Sequence, residues 1–185
     1  MNEDKRLTKA GANLIKHFEG CKEPHGGQFK AYKCPADVLT IGWGHTNHHG
    51  RKFDAATKWT RKECDAAFLE DMQGFESAVR RLVKVPLTPW QYDALVSFCY
   101  NCGEGNLAKS TLLKKVNAKE FEAAAQEFKK WNKGGGKVLP GLTRRRASES
   151  LLFQNISDLN YDGKADPKPP VDPMPQRVDD PGDGP

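Results

Sequence analysis

Glu19 is the one acid in a segment, residues 7–19, that otherwise reads as a short amphipathic helix, and it falls at that helix's C-terminal end. A helix C-terminus carries partial negative charge, which with any partial burial would disfavour the ionised carboxylate; an ordinary solvated Glu at a helix end is the other reading of that position alone. A carboxyl held protonated near neutral pH is what a general acid requires. Downstream lies Ala31-Tyr-Lys-Cys-Pro-Ala-Asp-Val-Leu-Thr-Ile-Gly-Trp-Gly-His-Thr46. Tyr32, Val38, Thr40, Ile41 and Trp43 are strand formers, while Pro35-Ala36-Asp37 breaks the run, so the segment predicts two short strands joined by a tight turn. A single carboxyl at a helix end beside a small polar hairpin suits general-acid chemistry on a polymer.

Other reactive side chains carry weaker signals. Cys99 and Cys102 have the C-x-x-C spacing without a βαβ pattern around them, and on a core-facing helix they read as two buried thiols. The five cysteines cannot all pair within one chain, and without a secretory signal they are expected to be reduced. The five histidines, including His48-His49 and His25 near Cys21, fit no common zinc spacing. Asp158, Asn160, Asp162 and Asp166 match positions 1, 3, 5 and 9 of a calcium loop. Pro169 stands where the bidentate Glu belongs, so a solvated acidic linker is the stronger reading and weak calcium binding the other. Arg144-Arg145-Arg146 reads as the polar face of the last helix.

The elements that must position these groups follow from periodicity. Thr8 can cap the first helix, about 8–18, with Leu14, Ile15 and Phe18 as its apolar stripe and Gly20 as its stop. Thr60 and Glu63 form a capping box opening a long helix over 60–84, about 35 Å in length. Thr88-Pro89 starts another helix. Further helices are expected at about 111–116, 118–131 and 144–154, with Gly134-Gly135-Gly136 as a mobile connection. Residues 1–157 thus predict one α+β domain: a small β-hairpin lobe (1–59) joined by the long helix (60–84) to a helical lobe (85–157), with a cleft between the lobes. Residues 158–185 read as an acidic, Pro-rich tail expected to be disordered, since seven of the last 19 residues are Pro.

Charge is divided along the chain. The total is +5, but residues 158–185 hold seven Asp against three basic residues, a net of −4, leaving +9 on residues 1–157. A basic body suits an anionic partner such as peptidoglycan, lipopolysaccharide or nucleic acid; no nucleic-acid-binding motif accompanies it. No apolar run is long enough to span a membrane, and Met1–Arg6 leads straight into the first helix, so no signal peptide is expected.

Several fragments together resemble one family. Glu19-Gly20, Ala31–Cys34, Thr40–His45, Gln91–Phe98, Asn101–Gly103, Ser110–Leu113 and Gly141–Ala147 are similar, in that order, to the phage-type lysozymes or endolysins, glycoside hydrolase family 24. The likeness covers residues 7–155 and implies a lysozyme-like fold that hydrolyses the β-1,4 bond between N-acetylmuramic acid and N-acetylglucosamine. It implies Glu19 as general acid and Thr40 as the residue placing the attacking water. Cys34 stands where the family usually has Asp, and either Cys34, Asp37 or no group at all takes that Asp's part. Thr46, Tyr100 and Ser110 fall where the family lines its saccharide groove, and His45 with Asp71 at its structural ion pair. The loop at 20–30 is longer than the family's by about six residues, which a surface loop can absorb. Trp43 and Trp131 either stack on sugars or pack inside, the commoner fate of such residues. The resemblance also implies a monomer needing no cofactor, made in the host cytoplasm and released to the wall by a holin. A lytic transglycosylase and a glycan-binding module that has lost catalysis remain open alternatives.

Overall fold

Thr8 caps the first helix, its hydroxyl accepting the backbone N–H of Gly11 at 3.4 Å. α1 (Lys9–Glu19) buries Leu14 and Ile15 and ends at Gly20, whose φ is +61°. The computed structural model describes residues 2–20, 27–34, 37–48, 50–158 and 160–166. Among the described residues, five short strands come after α1: β1 (Phe29–Lys30), β2 (Tyr32–Lys33), β3 (Leu39–Ile41), β4 (His45–Thr46) and β5 (Lys58–Trp59). Six helices and a hairpin follow: α2 (Arg61–Leu82), α3 (Pro89–Cys102), α4 (Glu104–Lys109), α5 (Thr111–Asn117), α6 (Phe121–Phe128), β6 (Lys133–Gly134), β7 (Lys137–Val138) and α7 (Pro140–Phe153). The architecture is α+β, as expected.

The caps predicted at Thr60 and Thr88 are also present. Glu63 accepts the Thr60 N–H at 2.7 Å while the Thr60 hydroxyl accepts from Glu63 N at 3.3 Å. Thr88 caps α3 reciprocally with Gln91, and Pro89 occupies the first turn. Elsewhere the boundaries move. α4 was not expected. α6 is shorter than 118–131 because Lys119, at φ +62°, breaks the helical path before it. α7 starts at Pro140 rather than 144. The triple glycine is no loose connection: β6 and β7 pair antiparallel, Gly134 opposite Lys137. Gly135 and Gly136 both have positive φ (+56° and +78°), the conformation a two-residue type I′ turn demands.

The described residues divide into two compact units, those of 19–74 and those of 1–18 with 75–166. This corrects the expected lobes: α1 up to Phe18 belongs with the later helices, and α2 contributes to both units. Hydrogen bonds account for the change. Thr8 N–H donates to Asp93 Oδ1 at 3.0 Å and the Thr8 hydroxyl to Asp93 Oδ2. Leu7 N–H donates to Glu76 Oε1 at 2.7 Å, and Asn2 bonds Val85 and Leu87 backbone at 2.9 and 3.1 Å.

In the larger unit α3 is central, with Tyr92 through Cys99 all buried. Its Phe98 meets Phe128 and Trp131 edge-on at 5.6 and 5.3 Å, and Phe128 meets Phe153 at 5.5 Å. Such pairs add to the apolar burial that dominates helix packing. Cys99 is buried and its thiol is pushed up to about 12 by desolvation, while Cys102 is half-buried.

Two further expectations are corrected here. Arg145 and Arg146 are not a solvated face; both are buried beside Glu149. Arg145 Nε lies 3.2 Å from Glu149 Oε1, Arg146 Nη1 lies 3.0 Å from Glu149 Oε2, and Ser97 Oγ donates to Glu149 Oε1 at 2.7 Å. Burial of two guanidiniums is tolerated because the carboxylate, the Ser97 backbone carbonyl and the Asn101 side chain meet them. The acidic segment also folds onto the body as far as Asp166. Tyr161 packs on His17 at 4.7 Å and on Phe18 at 6.4 Å, and Ser148 Oγ donates to Asp158 at 2.5 Å. Residues 167–185 lie outside the described residues.

Asp93 gives a pH-dependent prediction. Desolvation is the largest influence on its carboxyl and raises it to about 7 from an ordinary 3.8. Between those values the native state holds a proton that the unfolded chain has lost, so stability falls as pH rises from about 4 to about 7. Asp93→Asn, which keeps the neutral shape, is expected to flatten this decline in urea unfolding at pH 4.5 and 7.5; an unchanged slope contradicts it. For the buried arginines, Glu149→Ala should cost about 3–5 kcal/mol by leaving two charges unpaired. Exposed Arg144→Ala should stay within about 0.5 kcal/mol of wild type. Equal costs in thermal unfolding would contradict the pairing.

Candidate active site

The hairpin after β2 closes on two backbone bonds, Cys34 N–H to Val38 O at 3.0 Å and Asp37 N–H to Cys34 O at 2.8 Å, with Asp37 at φ +59°. β2, β3 and β4 then form one antiparallel sheet in which Tyr32 lies opposite Thr40 and Thr40 opposite Thr46. Side chains alternate across a sheet, so Tyr32, Thr40 and Thr46 share a face, which Cys34, two residues beyond Tyr32, continues. Leu39 and Ile41 take the opposite face, where Ile41 packs with Phe29, Phe53, Trp59, Cys64 and Ala67.

That register decides which groups come together. Thr40 is buried and its hydroxyl donates to Val38 O at 3.0 Å, leaving oxygen lone pairs to accept. Cys34 is half-buried. Asp37 is turned away: 79% exposed, it pairs with Lys33 at 2.8 Å. Glu19, half-buried as the last residue of α1, belongs to the same compact unit as this sheet.

His45 sits on the core side. Its Nδ1 meets Asp71 Oδ2 at 2.8 Å and its Nε2 meets the Arg51 carbonyl at 2.7 Å. Both partners present oxygen acceptors to the ring. Phe53 and Trp59 stack near the ring at 5.6 and 5.3 Å. Trp43 is half-buried, its indole N–H donating to Asp65 at 2.7 Å and its ring lying 4.7 Å from the Arg61 guanidinium.

The remaining candidates lie in the other unit. Tyr100 packs edge-on against Phe75 at 5.1 Å, with the Arg145 guanidinium 6.0 Å from its ring and 5.8 Å from that of Phe18. Ser110 is buried and caps α5, accepting Leu113 N–H at 3.0 Å and donating to Leu107 O at 2.7 Å. Its hydroxyl is thus engaged by the fold. Arg145, beside the residue preceding Glu19, was missed in the sequence; its four-residue spacing to Glu149 was the available signal.

The calcium-loop carboxylates are engaged by protein groups. Asp158 accepts from Ser148 and from the Asp162 and Gly163 N–H groups, Asp162 from Lys164 N–H, and Asp166 from Ser157. The carboxylates serve the loop's own turns, and among the described residues no three His, Cys, Asp or Glu side chains converge as a metal site.

A family model described as phage lysozyme matches residues 16–149. The chain belongs to the phage lysozyme family. The endolysin of Bacillus phage B103 is 44% identical over 149 residues, 80% of this chain and 53% of that protein. The chain spans 62% of the endolysin of Bacillus phage PZA, so it covers little more than half the length of these relatives. Among solved structures, the muramidase domain of SpmX from Asticaccaulis excentricus superposes with a TM-score of 0.70 at 37% identity, covering 80% of this chain and 97% of that one. A P22 lysozyme mutant gives 0.71 at 34% identity, covering 80% and 98%. SAR-endolysins of Bacteriophage PS119 and Escherichia phage Mu are also relatives. No helix among the described residues is long and apolar enough to cross a membrane.

The His45–Asp71 pair supplies a prediction that separates a structural role from a catalytic one. Asp71→Ala leaves a buried imidazole donor unmatched and should cost about 2 kcal/mol in urea unfolding followed by tryptophan fluorescence. Digestion of purified cell walls, per folded molecule and well below the unfolding transition, should remain near wild type. A fully folded variant with most of its activity gone contradicts the structural assignment.

Proposed function

We propose that this chain is a muramidase that hydrolyses the β-1,4 bond between N-acetylmuramic acid and N-acetylglucosamine in peptidoglycan, acting in lysis of a bacterial host. The observation that carries the reading is that one compact unit holds both Glu19, at a helix end, and a sheet face bearing Cys34, Thr40 and Thr46. Glu19 gives its proton to the glycosidic oxygen as the C1–O bond breaks. A water hydrogen-bonded to Thr40 Oγ attacks C1 from the opposite face, inverting the anomeric centre. Thr46, directly across from Thr40, helps hold the sugar.

The position usually held by Asp goes to Cys34 rather than Asp37. Cys34 shares the Thr40 face, whereas Asp37 is exposed and engaged by Lys33. Cys34, as its thiolate, then takes the attacking water's proton and becomes the thiol, less effectively than a carboxylate would.

Purified cell walls test this. Glu19→Gln should lower digestion by about 100-fold or more. Cys34→Ala should lower it clearly, Cys34→Asp should sustain it, and Asp37→Ala should leave it unchanged. A dead Asp37→Ala with an intact Cys34→Ala would reverse the assignment. The products should carry reducing ends; 1,6-anhydro ends would instead establish a lytic transglycosylase.

A further inference from the structure

Away from the β-sheet unit, the start of α3, the start of α6 and the end of α7 enclose a groove of about 540 Å³, within the rough 300–1,000 Å³ range of small-ligand sites. Trp90, Phe121 and Phe153 supply aromatic surface; Glu122, Gln154 and Asn155 supply polar groups around it. Phe153 is buried and forms the floor, while Trp90 and Phe121 are half-buried.

The polar groups differ in what they have left to give. Gln154 donates to Ser150 O at 2.9 Å, which leaves its carbonyl oxygen. Among the described residues the side chains of Trp90, Glu122 and Asn155 have no hydrogen-bond or ionic partner. The groove therefore offers an indole N–H donor, a carboxylate acceptor and a carboxamide that both donates and accepts. No lysine or arginine lines it, although the chain as a whole is basic. Such a lining does not select a phosphate or another anion. A flat aromatic face flanked by planar hydrogen-bonding groups matches a pyranose, whose C–H face is apolar and whose rim carries hydroxyls.

We infer that the helical unit holds a second, non-catalytic saccharide site, in which Trp90 stacks on an N-acetylated hexosamine while Glu122 and Asn155 bond its hydroxyl and acetamido groups. The preference for an N-acetylated sugar rests on the peptidoglycan reading above; the existence of a sugar site rests on the groove alone. Its consequence is retention: the enzyme stays on an insoluble wall between cuts.

Chitotetraose titrated into the full-length Glu19→Gln protein, followed by ¹⁵N-NMR, tests the site. The Trp90 indole resonance, assigned through Trp90→Phe, and the Asn155 side-chain amide are expected to shift saturably. Asn155→Gly, which accommodates the positive φ of +58° at that position, and Glu122→Ala should each weaken that response about tenfold. In the active enzyme, the same two substitutions should lower the wall-bound fraction and leave cleavage of soluble oligosaccharide unchanged. Absence of a shift at Trp90 overturns the proposal, as does an equal response to maltotetraose. A shift caused only by a peptide of residues 167–178 overturns it too, assigning the groove to the chain's own sequence. A protein that responds at Trp90 but leaves walls intact contradicts the muramidase reading alone; one that digests walls without the response contradicts this site alone.

Discussion

A carboxyl group in the middle of α3 holds the start of α1. Asp93 accepts both the backbone N–H and the hydroxyl of Thr8, in a place where burial keeps the carboxyl protonated to higher pH than usual. Gly11 completes the contact: a Cβ there would come within 2.6 Å of the Asp93 side chain, so only glycine admits so close an approach. Buried polar groups tolerate little loss of their partners. The joint therefore fixes the start of α1 on α3, and the proposed proton donor is the last residue of that helix.

The same economy of buried polarity recurs at the other end of α3. Arg145 and Arg146 are kept inside by Glu149, Ser97 and Asn101, and Arg146 lies 5.0 Å from the Phe98 ring. Arg145 in turn lies over Phe18 and Tyr100. One helix thus gathers the N-terminus of α1 at Asp93 and, through α7, the ring of its penultimate residue. Such networks stabilise little in net terms but penalise alternatives that would leave a charge bare.

Much of this was legible before any coordinates. The α1 stripe, its termination at Gly20, the Thr60–Glu63 box and the Thr88-Pro89 start rest on local rules that tertiary context did not override. The sheet face shared by Cys34, Thr40 and Thr46 follows from period-two alternation once the hairpin is placed. What stayed hidden depends on distant partners. A run of three arginines reads as solvated because Ser97 and Asn101 are far away in the chain. The acidic segment looked free because nothing local shows that Tyr161 meets His17 and Phe18. Three glycines read as a loose joint when two of them supply a type I′ turn. Ser110 marked a family position, yet the capping of α5 already engages its hydroxyl.

The central claim is that Glu19 donates a proton to a departing oxygen. The most direct measurement compares two substrates on one folded variant, Glu19→Gln: purified cell walls and a chito-oligosaccharyl fluoride, whose fluoride leaves without protonation. The account predicts that the variant loses wall digestion yet keeps much of the wild-type rate on the fluoride. Equal loss on both substrates, or activity retained on both, would contradict it.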